Sequence, residues 1–445
     1  VKEQGLRQLA ALTAFGLLLL ASACVSVPPG AERNDAGTGT ASFGEFDRRA
    51  RAGERLSVVF FGASLTWGAN ASDPNQTSYR ALVADRLRGR YPEAHFRFWD
   101  AAIGGTNSQL GVFRLERDVL SHKPDLVFLD FSANDDIYTA DAERLASYEA
   151  IVRRLVAEAL CPVVQVIFPF KWNVAQGNTG GMARRDAHLA IADAYNVPVG
   201  DAIALAIRRV REKRTTLAEL WPVDGVHPCD EGYVLFADAA WQAFEGAVRA
   251  GRVCQAPARM LNADTYMRSL RFRLATLDWL PAGWRIGPPN VNSAFFDFLM
   301  SRWQGEQVIA SNRAGVEGPD GKSRKEPQQV DPLQVQFRGR SVLLFGETTK
   351  QSGKYRVHLD GKVLSLVSPP ANEPAPESDA GAFARRIGGN GHYVQVLATG
   401  LDPQTTHTLR IEPLLAPDEE QELRIESLCV AGGEPSVRPV EMRRQ

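Results

Sequence analysis

The chain has 445 residues, with 51 Lys+Arg against 52 Asp+Glu and a formal net charge of −1. That length exceeds what one ordinary core serves, so two folded units are expected, and a hydrophobic share of 44% with a charged share of 23% excludes a largely disordered or fibrous chain. Balanced charge leaves no basic footprint for nucleic acid, and no apolar run reaches the roughly 18 residues of a spanning helix, which excludes a bundle of such helices.

Residues 1–24 place Lys2 and Arg7 ahead of an apolar run from Leu9 to Leu20 and close on Ala21-Ser22-Ala23-Cys24. A charged head, an apolar stretch too short to span and small residues at the end are the three regions of a secretory signal. The closing residues resemble a bacterial lipobox, which implies cleavage before Cys24 and a diacylglycerol thioether on its sulfur. The expected product is an exported lipoprotein held to a membrane by this anchor, with Val25 favouring the outer membrane; an ordinary signal with a chance cysteine is the alternative. Residues 25–54, rich in Pro, Gly, Ala, Ser, Thr and Asp, read as a flexible tether. The other cysteines are Cys161, Cys229, Cys254 and Cys429. An oxidising compartment permits a disulfide, and Cys229 with Cys254 is the favoured pair because each lies outside the predicted strands.

Residues 55–250 alternate short apolar runs with longer amphipathic stretches. Leu56–Phe61, Phe96–Ala101, Asp125–Phe131 and Val163–Phe168 predict strands, while Tyr79–Arg88, Leu110–Leu120, Ala142–Ala159, Ala183–Tyr195 and Gly232–Arg249 predict helices. Runs such as Val58-Val59-Phe60-Phe61 suit strands covered on both faces. The alternation implies a parallel sheet with crossover helices, an α/β layered unit.

Residues 251–282 read as a connecting segment. Across residues 283–432 the texture becomes short strands with turn signals, as in Ser341–Phe345, Tyr355–Leu359, Tyr393–Ala398, His407–Ile411 and Leu423–Val430, which predicts an antiparallel β-sandwich. The stretches from Ala314 to Gln329 and from Ser368 to Asn390 read as polar segment and loop, and residues 433–445 as a tail. Trp279, Trp284, Trp303 and Tyr355 suit either stacking on sugars or a buried core.

Four short blocks carry the chemistry. Gly62-Ala63-Ser64 follows the first strand, Gly104-Gly105-Thr106-Asn107 the second and Ser132-Ala133-Asn134-Asp135 the third, while Asp224-Gly225-Val226-His227-Pro228 precedes the last helix. A parallel sheet gathers such loops on one rim. In order and interval these blocks resemble the SGNH (GDSL-type) hydrolase superfamily over Leu56 to about Val248, with Ala63 standing where the family has Asp and Ala102 where it has Gly; the resemblance implies a flavodoxin-like three-layer α/β/α fold for this unit.

Carried over by position, the resemblance implies that Ser64 is the nucleophile, His227 its base and Asp224 the carboxylate that orients and charges the imidazole. The Ser64 and Gly105 backbone N–H groups and the Asn134 amide match the oxyanion donors, each worth about 10²–10³ in kcat. No cofactor or metal is implied; Asp135 and Asp136 read as solvated or supporting carboxylates. Trp67, Lys171 and Trp172 are weaker candidates for substrate contact, because a polar, amide-rich loop with an aromatic suits sugar hydroxyls. The strand phrasing of the second unit also resembles jelly-roll modules attached to carbohydrate esterases. The function so implied is an esterase removing O-acetyl groups from a polysaccharide or oligosaccharide; a broad esterase or lysophospholipase, or a non-catalytic glycan-binding lipoprotein, are the alternatives.

Overall fold

The structure is a computed structural model that describes residues 40–290, 304–317, 323–367 and 373–440. Arg55–Gly62 (β1), His95–Ala102 (β2), Leu126–Leu129 (β3), Val163–Ile167 (β4) and Val199–Asp201 (β5) form one parallel sheet in the order β2-β1-β3-β4-β5. This is the flavodoxin-like order, in which the chain leaves β1 for β2 on one side and crosses to β3 on the other. Residues 58–61 of β1 and all of β3 and β4 are buried, as expected for strands under helices on both faces.

The tether expected over residues 25–54 ends earlier than its composition suggested. Ala41 and Ser42 pair with Cys254 and Val253, and Phe43–Arg51 forms a helix (α1) whose first turn is capped by the Ser42 hydroxyl accepting from the Glu45 N–H. Phe43, Phe46 and Ala50, at helical spacing, are buried, and both rings meet Phe244 edge-on. The segment is therefore part of the α/β core, while the signal, Cys24 and residues 25–39 lie outside the described residues. The remaining helices that position the site are Ser64–Trp67 (α2), Tyr79–Arg90 (α3), Ser108–Asp118 (α4), Ala142–Arg153 (α5), Ala183–Ala194 (α6), Ala202–Arg211 (α7) and Asp230–Arg249 (α8).

The four described cysteines are all thiols, so the expected Cys229–Cys254 pair is not formed. The two flank the 20 residues of α8, a helix about 30 Å long at 1.5 Å per residue, far beyond disulfide reach.

The second unit begins before residue 283 and runs past residue 432. Ser269–Arg273 (β6) already pairs with its central strand, so part of the expected connector is sandwich. Trp284–Gly287 (β7), Gln307–Ser311 (β8), Leu333–Arg338 (β9), Ser341–Thr348 (β10), Lys354–Leu359 (β11), Gly391–Ala398 (β12), His407–Leu414 (β13), Glu422–Ala431 (β14) and Ser436–Pro439 (β15) follow. One sheet runs β12-β10-β14-β8-β7, with β6 also on β14; the other includes β11-β13-β9-β15. The expected tail thus contributes β15, paired with β9. Arg313–Glu317 and Ser323–Pro327 pair antiparallel where a polar segment was expected, and the expected loop at 368–390 contains the helix Ala382–Ile387. Trp284 and Tyr355 belong to the sandwich core and Trp279 is exposed, while Trp303 lies outside the described residues.

Alternation along β10 and β14 divides their side chains between two cores. Leu344, Leu428 and Val430 face the opposite sheet, whereas Leu343, Phe345, Cys429 and Ala431 join the core of the α/β unit. Polar groups tie the same seam: Gln109 Nε2 donates to the Tyr266 hydroxyl at 2.7 Å, and that hydroxyl lies 3.2 Å from Ser341 Oγ on β10. The sandwich therefore rests against α4 through a shared apolar core rather than hanging from a linker.

Candidate active site

Ser64, the expected nucleophile, is placed by a turn that only glycine permits. A Cβ on Gly62, at the end of β1, would lie 2.2 Å from Thr66 Oγ1 and 2.5 Å from the Asp130 carbonyl, so the chain passes tightly from strand to helix. Ser64 then opens α2, where its backbone N–H has no intrahelical partner. Ala63, in the family's Asp position, is buried and leaves α2 without a side-chain cap.

His227, the expected base, arrives from the loop before α8. His227 Nε2 lies 3.0 Å from Ser64 Oγ, and His227 Nδ1 lies 3.3 Å from Asp224 Oδ2. Asp224 Oδ1 accepts from the Val226 and His227 N–H groups, each at 2.6 Å. Burial works to raise the Asp224 carboxyl, yet those two N–H donors, the His227 charge and the Asn70 amide outweigh it and hold it below the ordinary carboxylate range. Burial of the His227 ring lowers its pKa by more than the Asp224 charge and hydrogen bond raise it. A neutral imidazole facing a serine hydroxyl is the protonation state a general base needs.

Gly105 and Asn134 lie on the same rim. Ile103 N–H donates to the Gly62 carbonyl and Asp130 N–H to the Phe61 carbonyl, which fastens the loops after β2 and β3 to either side of β1. Gly105 is exposed and takes φ +70°, a backbone state costly for other residues. Asn134 sits half-buried in the turn after β3, between two buried carboxylates. Asp130 Oδ1 accepts from the Ser132 N–H at 3.0 Å and Oγ at 2.8 Å, and Asp135 Oδ1 accepts from the Ser108 N–H at 2.9 Å. Asp135 is thus buried rather than solvated and links the Asn134 turn to α4, while Asp136 is exposed. Burial pushes Asp130 up to about 7 and Asp135 up to about 6.

Two supporting residues have no sequence signal. Asn70 takes φ +66° and donates its amide to Asp224 Oδ2 at 2.8 Å. Arg114, buried on α4, donates to the Gly62 and Ala101 carbonyls at 3.3 and 3.2 Å, bracing the ends of β1 and β2 together.

Residues 60–235 match the model of the GDSL-like lipase/acylhydrolase family, a span that contains Ser64, Gly105, Asn134, Asp224 and His227. These residues are a GDSL-like acylhydrolase domain. The chain is also 29% identical over 208 residues to an acetylxylan esterase of Geobacillus stearothermophilus, covering 42% of this chain and 92% of the relative. Among solved structures, a two-domain esterase active on acetylated mannans superposes with a TM-score of 0.66 at 21% identity, covering 87% of this chain and 94% of that one. Its form co-crystallized with mannopentaose gives a TM-score of 0.67 at 23% identity, covering 88% and 97%. At those identities the likeness is one of fold, and it spans both the acylhydrolase domain and the sandwich.

The acylhydrolase domain places the three weaker candidates differently. Trp67 is buried against Ala69 and Ala102, so it packs beneath the turn instead of offering a free face. Lys171 donates its N–H to the Gly225 carbonyl at 2.8 Å and its ammonium to the Trp221 carbonyl at 3.1 Å, so its charge is spent on the loop that carries Asp224. Trp172 is 48% exposed and lies against Gly225, 3.2 Å from where a Cβ there would stand. The expected polar loop is in fact the short helix Lys171–Ala175, and the Asn173 amide oxygen is turned inward to cap it.

Proposed function

We propose that this chain is a serine esterase that removes O-acetyl groups from a polysaccharide or oligosaccharide. The observation that carries the reading is the continuous Asp224–His227–Ser64 arrangement on the rim of the sheet. The acetylxylan esterase relative and the exposed Trp172 ring beside the catalytic loop support a carbohydrate ester as substrate.

Ser64 Oγ bonds to the acetyl carbonyl carbon as His227 Nε2 takes the hydroxyl proton, and Asp224 stabilises the imidazolium. The N–H groups of Ser64 and Gly105 and the Asn134 amide bind the oxyanion. Collapse breaks the ester C–O bond, and His227 returns its proton to the departing sugar oxygen. Water then attacks the acetyl-serine, giving its proton to His227 as the new C–O bond forms; Ser64 leaves with that proton, and acetate is released. The test is acetate release from acetylated xylan and acetylated mannan by the native protein and Ser64→Ala. Native turnover with a loss of about 10³-fold or more in the variant is expected; full activity in Ser64→Ala would refute the assignment.

The same reading includes export and a membrane anchor on Cys24, which rests on the residue pattern of the first 24 positions. Metabolic labelling with a fatty acid is expected to mark the chain and to vanish in Cys24→Ala; labelling that persists would refute it.

A further inference from the structure

The Gly105 loop is held from outside its own domain. His392, the second residue of β12 in the sandwich, is buried, and its ring atoms Cε1 and Nε2 lie 3.5 and 3.6 Å from where a Cβ on Gly105 would stand. The ring hydrogen-bonds the Gly105 backbone in the sense that favours the proton-bearing ring nitrogen, as donation by an imidazole N–H to the carbonyl does. Burial, helped by the nearby Arg114 charge, outweighs this and pushes the His392 pKa down to about 4, so the ring is neutral at working pH and carries one N–H.

The seat of that ring is rigid. His392 stands directly across from Glu347 on β10, and Glu347 in turn from Arg424 on β14. Arg424 Nε donates to Glu347 Oε2 at 2.7 Å, and the Asn290 N–H donates to Oε1 at 2.7 Å, so the carboxylate is committed to the sheet. Phe345 and Leu343, on the same strand as Glu347, are locked into the α/β core. On the other side of the contact is a glycine in a left-handed conformation that its own loop leaves exposed.

We propose that His392 is a positioning residue for the oxyanion hole: from the sandwich, it holds Gly105 in the conformation that aims its N–H at the developing oxyanion. The inference rests on the esterase reading and on Gly105 as a donor. It makes the sandwich part of the catalytic apparatus through geometry, without requiring it to touch sugar. A donor that is present but misaimed loses much of its effect, because oxyanion stabilisation depends on preorganised direction.

The test compares nitrophenyl acetate kinetics of the full-length native protein, His392→Ala, His392→Gln and Ser64→Ala, together with inhibition by a small alkylboronic acid that forms a tetrahedral adduct on serine. In His392→Ala, kcat is expected to fall about 10- to 100-fold with KM within about twofold. Boronate affinity should fall by a factor similar to kcat/KM, and His392→Gln, which keeps an N–H donor, should regain most of both. Unchanged kcat in His392→Ala, or a loss that follows a lowered melting temperature and that Gln fails to restore, would overturn the inference while an inactive Ser64→Ala leaves the esterase reading standing. Activity retained in Ser64→Ala would instead bring down the reading on which it rests.

Discussion

Asp224 grips His227 at two points, its Oδ1 accepting the backbone N–H at 2.6 Å while its Oδ2 lies 3.3 Å from the ring Nδ1. One carboxylate thus fixes both the loop that carries His227 and the rotation of its ring. The pairing also sets the electrostatics: Asp224 favours the imidazolium, and burial opposes it more strongly, leaving His227 below its ordinary value of 6.5.

That balance predicts the acid limb of the pH profile. The base must be neutral to accept the serine proton, so kcat/KM of the native enzyme is expected to fall only below pH 6.5. Asp224→Asn removes the influence that raises His227, so the limb should move further to acid while the plateau drops by about 10²–10⁴-fold. A pH–rate profile of both proteins checks this; movement of the limb to higher pH in the variant would contradict the assignment of forces.

Much of the acylhydrolase domain is legible in the sequence because the central strands are buried on both faces, and burial writes itself as runs such as Val58-Val59-Phe60-Phe61. The chemistry is legible because each block sits at a strand end or before a helix, where side-chain type and backbone turn are both constrained. β5 escapes notice because it is a three-residue strand with a central glycine, squeezed to within 2.8 Å of the Ala239 carbonyl from where a Cβ would stand. α1 is hidden by its neighbours: Phe43, Phe46 and Ala50 form a helical stripe in a segment whose composition otherwise reads as tether.

The supporting residues are a different matter. Asn70 reaches a partner 154 positions away only because its own backbone is left-handed, and neither fact is local. His392 meets Gly105 across two separate layers, a contact that no periodicity encodes.

Asn70 gives a prediction that separates amide from backbone. Loss of its hydrogen bond to the Asp224 carboxylate should cost about 1.5 kcal/mol, or roughly tenfold in kcat/KM. Asn70→Ala adds strain at φ +66°, whereas Asn70→Gly accepts that backbone and lacks only the amide. Both variants are expected to lose activity alike, and only the alanine form to melt lower; a glycine form with native kcat/KM would remove the amide from the mechanism.

The shared core predicts that the acylhydrolase domain does not stand alone. Removing residues 269–445 uncovers the surface now filled by Leu343, Phe345, Cys429 and Ala431. Burying a Leu or Phe side chain contributes about 1.5–3 kcal/mol. The truncated protein is therefore expected to aggregate or melt well below the full chain, read by size-exclusion chromatography and thermal unfolding. A monomeric fragment with native melting and native kcat would show that the seam carries neither stability nor catalysis.

Asp130 predicts a pH-dependent weakness beneath the site. Burial raises its carboxyl from 3.8 to about 7, and its Oδ2 has no hydrogen-bond partner. Because the folded pKa is the higher one, the folded state keeps a proton that the unfolded chain releases. Its contribution to stability is complete below about pH 3.8 and is lost as pH rises through about 7. The loss across that window has a limiting slope of about 1.4 kcal/mol per pH unit. Asp130→Asn keeps the acceptor used by Ser132 and has no proton to lose. Its stability relative to the native protein should rise from pH 4.5 to pH 7 and level off above, as measured by urea midpoints at several pH values. Parallel curves for the two proteins would mean that Asp130 ionises in the fold as freely as in the unfolded chain.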